Sequence, residues 1–297
     1  NLAYMKEVHA YWRDKYNWRE QERRLNQLPQ FKTRIDGLDI HFVHRTAAAP
    51  NAFPIFLTHD WPGTYFEFSK VVDRLADPGR HGGDAKDAFH VVVVSLPGFG
   101  FSDKPASQGH SRERTVKIVA ELMNRLGYGR YGVHASDAEF TLGALLAVHD
   151  SARVAALQLD HCTAPAPDPK NPNAGLTPEE IRLRTKPRVP NGDGYATLQG
   201  TKPQTLGYAL NDSPVGQAAW LIDKIREWCD CGGSIESVFT KDDLITHAMI
   251  YWITQTATST SRYYYEERHI NEAPIRGRIA VPTGCSVFAG APTFTPR

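Results

Sequence analysis

Residues 90–100 read HVVVVSLPGFG, in which four consecutive valines lead into a loop of proline and glycine. β-Branched residues without polar alternation are typical of a strand that is buried on both faces of a parallel sheet. Residues 53–58, FPIFLT, have the same character and are followed by residues 59–63, HDWPG. Helical patterns at about 66–76 and 113–126 provide the crossovers that parallel strands require.

The chain continues this rhythm through the next fifty residues. Residues 131–134, YGVH, predict a short strand, residues 135–137, ASD, a sharp turn, and residues 141–148 an apolar helix. Val154–Leu159 predicts a further strand. The strict alternation of strand and helix predicts an α/β protein with a mostly parallel, doubly wound sheet.

The flanking segments predict further parts of the molecule. Residues 4–26 predict a single helix, and residues 33–43 predict a hairpin around Asp36-Gly37. Past residue 160 the pattern changes to helical stretches at 205–228 and 241–268, before strand character returns at 279–288. The predicted organisation is an N-terminal helical segment (1–30), a core (31–160), a helical cap (161–276) and a return to the core (277–297).

Composition excludes several classes of protein. The 297 residues are 41% hydrophobic and 23% charged, with a net charge of +1, which is typical of a globular chain without affinity for nucleic acid. No apolar run is long enough to span a bilayer, and no membrane anchor is visible. The chain begins at Asn1 without an initiator Met. Its four cysteines lack zinc-ligand spacing, so we expect reduced thiols and a cytoplasmic protein.

The predicted turn after residue 134 is the first candidate for chemistry. A side chain at this edge of an open α/β sheet faces the crevice where ligands bind, and the next helix offers its N–H groups to an anion. A nucleophile elbow needs small residues two positions before and after the nucleophile; for Asp137 these are Ala135, which fits, and Glu139, which does not. For Ser136 they are His134 and Ala138, so neither register matches fully. Backbone N–H groups of Trp61 and Ala138 would then form an oxyanion hole. A helix N-cap at Asp137 and a plain turn at Trp61 explain the same residues equally well.

Several segments, in order, resemble those of the microsomal-type epoxide hydrolases, which have the α/β-hydrolase fold. Residues 59–64, HDWPGT, are similar to the family's His-Gly-Trp-Pro-Gly-Ser loop. The similarity extends from about Tyr11 to Phe288. Its other segments are residues 31–42, 96–102, 201–216, 218–220 and 281–284.

The resemblance implies a two-step reaction on a small apolar epoxide. An aspartate attacks an epoxide carbon to form an ester, and water activated by a histidine hydrolyses that ester to a diol. Two cap tyrosines donate hydrogen bonds to the epoxide oxygen. Asp137 matches the nucleophile, Tyr195 the first tyrosine, and Tyr264 best matches the second within the run 263–265. Water is the only other reactant, no cofactor or metal is implied, and a homo-oligomer is compatible with the pattern.

This chain departs from the family pattern at several positions. Asp60 and Glu139 each replace a glycine, and Ala291 stands where relatives carry an acidic residue, for which Glu266 is a candidate substitute. The family's Gly-Gly-His-Phe segment, which carries the catalytic histidine, has no counterpart among these residues. We expect His59 to be structural.

Three functions remain open on this pattern. The first is epoxide hydrolysis, the second is a catalytically degenerate protein that binds or scaffolds, and the third is alkylation of Asp137 without release of the product. We also expect residues 1–297 alone to expose a sheet edge, and therefore to be poorly soluble unless a second fragment or partner covers it.

Overall fold

The computed structural model describes residues 2–49, 51–136, 140–160, 170–184, 192–270 and 279–286. These residues form one seven-stranded sheet in the order β1-β2-β4-β3-β5-β6-β7. The strands are β1 (Gln30–Ile35), β2 (Leu38–Arg45), β3 (Phe53–Thr58), β4 (Phe89–Val94), β5 (Tyr131–Ala135), β6 (Val154–Leu159) and β7 (Thr283–Cys285).

The sheet is parallel from β4 to β7 and antiparallel at β1 and β2. The β1–β2 hairpin turns at Asp36 and Gly37, which both have positive φ angles (52° and 76°), as a two-residue hairpin turn that follows the strand twist requires. The valines of β4 alternate between the two faces. Val92 and Val94 belong to one buried cluster, and Val91 and Val93 to the other. The predicted mostly parallel sheet is therefore confirmed.

Helices pack on both faces of the sheet, and the longest series of them lies between β6 and β7 in the chain. The helices before β6 are α1 (Leu2–Asp14), α2 (Trp18–Leu25), α3 (Val72–Ala76), α4 (Arg112–Arg125) and α5 (Phe140–His149). Those after β6 are α6 (Pro178–Arg184), α7 (Gly194–Thr201), α8 (Pro203–Leu210), α9 (Pro214–Trp228), α10 (Lys241–Thr254) and α11 (Ala257–His269). We call α6–α11 the cap helices.

Short 3₁₀ turns complete the described secondary structure. One of them, Tyr65–Lys70, precedes α3, so the helix expected at 66–76 is a 3₁₀ turn followed by a short α-helix. The others are Pro78–His81, Ala85–Asp87 and Ile235–Ser237.

Three predicted helices are each divided in two. The helix expected at 4–26 breaks before Trp18, because the side chain of Asn17 accepts the N–H of Glu20 and starts a second helix. The stretch 205–228 breaks in the same way at Ser213-Pro214, a cap residue followed by proline. The stretch 241–268 breaks at Gln255, whose φ of 53° ends α10.

Two further expectations are corrected near the cap and at β7. Strand character was expected at 279–288, but β7 covers only Thr283–Cys285 of the described residues there. Cys229 and Cys231 are joined as a disulfide, with their Cα atoms 5.3 Å apart, and Cys285 is also disulfide-bonded, so the prediction of reduced thiols is wrong for these three cysteines.

The α3 side of the sheet carries an apolar trough that the described residues leave open. Its volume is about 790 Å³, and it runs across β3, β5, β6 and β7. Val71 and Phe53, on its rim, have 38% and 37% of their surface exposed. His134 and Gln158 form a hydrogen-bonded pair within it.

Candidate active site

The loop that follows β3 is held in place from within the core. His59 is fully buried, and its Nε2 accepts the backbone N–H of Leu96 at 3.3 Å. Burial lowers the pKa of His59 to about 3, so the ring is neutral, with its proton on Nδ1. This bond ties the loop after β3 to the loop after β4, as expected of a structural rather than a reacting histidine.

Asp60 and Trp61 are the next residues of this loop, and both are buried. The backbone N–H of Trp61 donates to Oδ1 of Asp60 at 2.6 Å. The donor predicted for the oxyanion hole therefore bonds a carboxylate of its own chain in this structure. The role of Trp61 in an oxyanion hole remains a prediction.

Two cap tyrosines meet the indole of Trp61. The ring of Tyr195, in the first turn of α7, stacks on Trp61 with centroids 5.0 Å apart and planes 12° from parallel. The ring of Tyr264, in the middle of α11, meets Trp61 edge to face at 6.0 Å. The two tyrosine rings are 5.9 Å from each other. The structure thus brings together three predicted site residues that are far apart in the sequence.

The structure also separates Tyr264 from its two neighbours. Tyr263 is buried against Phe99, with ring centroids 5.8 Å apart. Tyr265 stacks on His269, one turn further along α11, at 3.9 Å. Of the three consecutive tyrosines, Tyr264 is therefore the one that contacts Trp61.

Two residues of α9 also contact the rings of Trp61 and Tyr195, and they were not predicted from the sequence. Trp228 meets Tyr195 at 5.2 Å and Trp61 at 6.2 Å, and the Nζ of Lys224 lies 5.7 Å from the centre of the Tyr195 ring. Burial lowers the pKa of Lys224, but the hydrogen bonds and negative charges of Glu227 and Asp223 together raise it more, so the net shift is upward and the ammonium is charged. Lys224 and Trp228 are four residues apart and share a helix face, which is the only signal that the sequence offers.

Asp137, Ala138 and Glu139 lie outside the described residues, as does Ala291. In the sequence, Asp137 stands between the last residue of β5, Ala135, and the first residue of α5. Its role as nucleophile and the role of Ala138 as oxyanion donor therefore remain predictions.

Glu266 is directed to a different part of the molecule. Its Oε2 accepts the backbone N–H of Gly109 at 2.9 Å, beside a cleft between the loop 105–108 and the cap helices. It is thus engaged in holding that loop and is not among the aromatic residues around Trp61.

Neither a metal cluster nor a bilayer-spanning helix is found in the described part of the chain. No group of three His, Cys, Asp or Glu side chains there could hold an ion. None of the helices there combines the length and the apolar character that a membrane crossing needs.

Comparisons with known proteins identify the family of this chain. A family model described as "Epoxide hydrolase N terminus" matches residues 1–68. The chain is 44% identical to a Stigmatella aurantiaca protein named provisionally as an epoxide hydrolase, over 97% of this chain and 65% of that protein. It is 32% identical to epoxide hydrolase 1 of Sus scrofa, over 97% of this chain and 69% of that protein. The chain belongs to the epoxide hydrolase family.

Solved structures of the family have the same fold. The juvenile hormone epoxide hydrolase of the silkworm Bombyx mori superposes with a TM-score of 0.78 at 29% identity, over 96% of this chain and 69% of that one. An enantioselective mutant of the Aspergillus niger epoxide hydrolase gives a TM-score of 0.82 at 28% identity, over 98% and 74%. The predicted α/β-hydrolase fold is thus confirmed. The chain spans 65% and 69% of the two curated relatives named above.

Proposed function

We propose that this protein hydrolyses a small apolar epoxide to a vicinal diol through an ester on Asp137. The observation that carries the proposal is the meeting of Tyr195 and Tyr264, from two different cap helices, on the indole of Trp61. Two phenols held this close offer paired hydrogen-bond donors to one oxygen atom. The aromatic surroundings favour an apolar substrate, and the named relatives support the reaction class.

In the first step, a carboxylate oxygen of Asp137 forms a bond to one epoxide carbon, and the bond from that carbon to the ring oxygen breaks. The oxygen leaves as an alkoxide, which Tyr195 and Tyr264 stabilise and to which one of them gives its proton. An aspartate suits this step because it is ionised near neutral pH.

In the second step, water adds to the carbonyl carbon of the ester, and one of its protons restores the tyrosine that gave up a proton in the first step. The tetrahedral oxyanion takes hydrogen bonds from the N–H groups of Trp61 and Ala138. When it collapses, the bond to the former carboxylate oxygen breaks, and the diol leaves with that oxygen and the second proton of the water. Trp61 can donate only when Asp60 releases its N–H. Asp60 therefore opposes this step in two ways, by occupying the donor and by its negative charge.

A single-turnover experiment in water enriched in oxygen-18 tests the proposal. With protein in excess over a styrene-type oxide, the ester route gives unlabelled diol and places one labelled oxygen on the peptide that contains Asp137. Asp137→Ala should form neither product. Tyr265→Phe is the control, because the ring of Tyr265 stacks on His269, and it should behave as the unsubstituted protein.

Each other outcome has a distinct meaning. Label in the diol after one turnover would indicate direct attack by water and exclude the ester. A stable adduct on Asp137 would indicate alkylation without hydrolysis. Folded protein that gives neither diol nor adduct would contradict the proposed function.

A second function, ligand binding without hydrolysis, is favoured by one observation. The carboxylate of Asp60 occupies the N–H of Trp61 inside a buried loop. A family member that only binds would keep the aromatic residues around Trp61 and have no need of that donor. Binding of an apolar epoxide with neither turnover nor adduct, and no gain of turnover in Asp60→Gly, would support this function.

A further inference from the structure

Two side chains of α10 reach across to the loop that carries Trp61. His247 and Tyr251 are four residues apart and therefore lie on one face of the helix. Nε2 of His247 bonds the carbonyl oxygen of Pro62, and the hydroxyl of Tyr251 donates to the carbonyl oxygen of Gly63 at 3.0 Å. The sequence separations are 185 and 188 residues, so these bonds join the cap to the core.

Both side chains are in the protonation state that these bonds need. A carbonyl oxygen only accepts, so the proton of the His247 ring must be on Nε2. Burial lowers the pKa of His247, which keeps the ring neutral near pH 7. Burial raises the pKa of the Tyr251 phenol, and the negative charges of Glu67 and Asp60 raise it further, so the hydroxyl keeps its proton.

The two bonds fix consecutive peptide groups. When the carbonyls of Pro62 and Gly63 are both held, the peptide planes on either side of Gly63 cannot rotate independently. Trp61 directly precedes this segment, with its ring against Tyr195 and Tyr264. Catalytic groups keep a productive geometry only when neighbouring hydrogen bonds and packing hold them, and a shift of about 1 Å can cost about 100-fold in rate.

We propose that His247 and Tyr251 are positioning residues for the reaction. They hold the backbone of residues 62 and 63, so that the ring of Trp61 keeps its orientation toward the two tyrosines and its N–H keeps its place in the loop. Neither side chain needs to touch the substrate. The inference rests on the proposed function and adds to it a device by which a cap helix sets the geometry of a core loop.

The alternative is that the two bonds only fasten the cap to the core. The chain offers a matched control, since the hydroxyl of Tyr16 bonds Oγ1 of Thr246 on the same helix at 3.0 Å, also from outside the cap. Tyr251→Phe and Tyr16→Phe therefore each delete one phenolic hydroxyl and one hydrogen bond of α10. Of these two tyrosines, only Tyr251 bonds the loop at Gly63.

The experiment compares Tyr251→Phe, His247→Leu, His247→Gln and Tyr16→Phe by diol formation and by hydrogen exchange of the peptide that covers residues 60–66. Tyr251→Phe and His247→Leu should each lower kcat by about 10-fold or more, with KM changed by less than about 3-fold, and should speed exchange of that peptide. His247→Gln can still donate from its amide and should recover most of the activity. Because both residues act on one loop, the double variant should lose less than the product of the two single losses. Tyr16→Phe should change neither readout.

The outcomes separate this inference from the function on which it rests. Equal kcat in Tyr251→Phe and Tyr16→Phe, with an active unsubstituted protein, would overturn the positioning role alone. Faster exchange at 60–66 with unchanged kcat would also overturn it and leave a purely structural bond. Lack of diol in the unsubstituted protein would instead overturn the proposed function, and with it the positioning role. If His247→Leu does not fold, the milder variant Tyr251→Phe decides the test.

Discussion

The carboxylate of Asp60 sits 2.6 Å from the N–H of Trp61, in a position where the family loop has glycine. Asp60→Gly should raise kcat for diol formation, because it frees a donor for the oxyanion and removes a nearby negative charge. Removing one oxyanion-hole donor lowers kcat by about 100- to 1,000-fold in other enzymes. Since the N–H of Trp61 is only partly blocked, we expect Asp60→Gly to raise kcat by about 10-fold.

Asp60→Asn serves as the companion variant, since it keeps the acceptor oxygen and removes the charge. We expect it to lie between the parent and Asp60→Gly in kcat. If both variants unfold cooperatively and turn over at the parent rate, Asp60 has no inhibitory effect.

Tyr264 carries a second prediction at the same scale. Tyr264→Phe removes the hydroxyl but keeps the ring against Trp61, so the fold should persist while kcat falls by about 100-fold, the usual loss for a missing acid catalyst. Tyr265→Phe is the control, because that ring stacks on His269 away from Trp61. Steady-state diol formation by the two variants checks the assignment, and equal losses would contradict it.

At the scale of elements, most of the sheet could be predicted from sequence because its signals are local. The strands Phe53–Thr58 and Val154–Leu159 have the predicted bounds, since short, mainly apolar runs between turns allow few alternatives. The interruptions of the helices depended on single residues, such as Gln255 with its left-handed backbone, and no periodicity reveals these.

The residues of the candidate site also differ in whether a local sequence signal points to them. Tyr195 and Tyr264 could be named because they lie in motifs that resemble a family. Lys224, Trp228, His247 and Tyr251 could not, because their contacts join segments brought together only by the packing of α9 and α10 on the core. Such contacts have no signature in the sequence of either segment.

Buried histidines that join strands and loops predict an acid-sensitive fold. Burial lowers the pKa of His41, which bridges Ser95 and Gln30, to about 4, and that of His59 to about 3. In the unfolded chain both titrate near pH 6.5, so below that pH the unfolded state binds more protons and is favoured. The free energy of unfolding should be level above pH 7 and fall from about pH 6.5 toward pH 4.

The slope for each such histidine approaches about 1.4 kcal/mol per pH unit in that interval. Urea unfolding at pH 8, 6 and 5 measures it. His41→Gln should lower the free energy of unfolding at pH 8, because it removes buried hydrogen bonds. It should also reduce by about one the number of protons taken up on unfolding, and so make the pH dependence less steep. An unchanged slope would contradict the prediction.

At the scale of the molecule, the described residues leave open an apolar trough of about 790 Å³ on the α3 side of the sheet. Apolar patches of this kind promote association, so residues 1–297 should self-associate as the concentration rises. Val71→Lys, on the rim, should weaken this association. Val238→Lys, at another exposed valine that does not line the trough, should not.

Sedimentation velocity over a range of concentrations compares these two variants with the parent. A parent chain that stays monomeric throughout and melts cooperatively would show that the trough does not drive association.

The indole of Trp61 lies between one phenol that stacks on it and another that meets it edge to face, both supplied by the cap. Light absorbed by these tyrosines is transferred to the indole at such short range, and the emission of the indole depends on the polarity around it. Trp61 is thus a natural fluorophore at the junction of cap and core, one of six tryptophans in the chain. The part of the emission that Trp61→Phe removes should shift in wavelength and intensity when a molecule enters between the rings, which allows ligand entry to be followed in real time without an added dye.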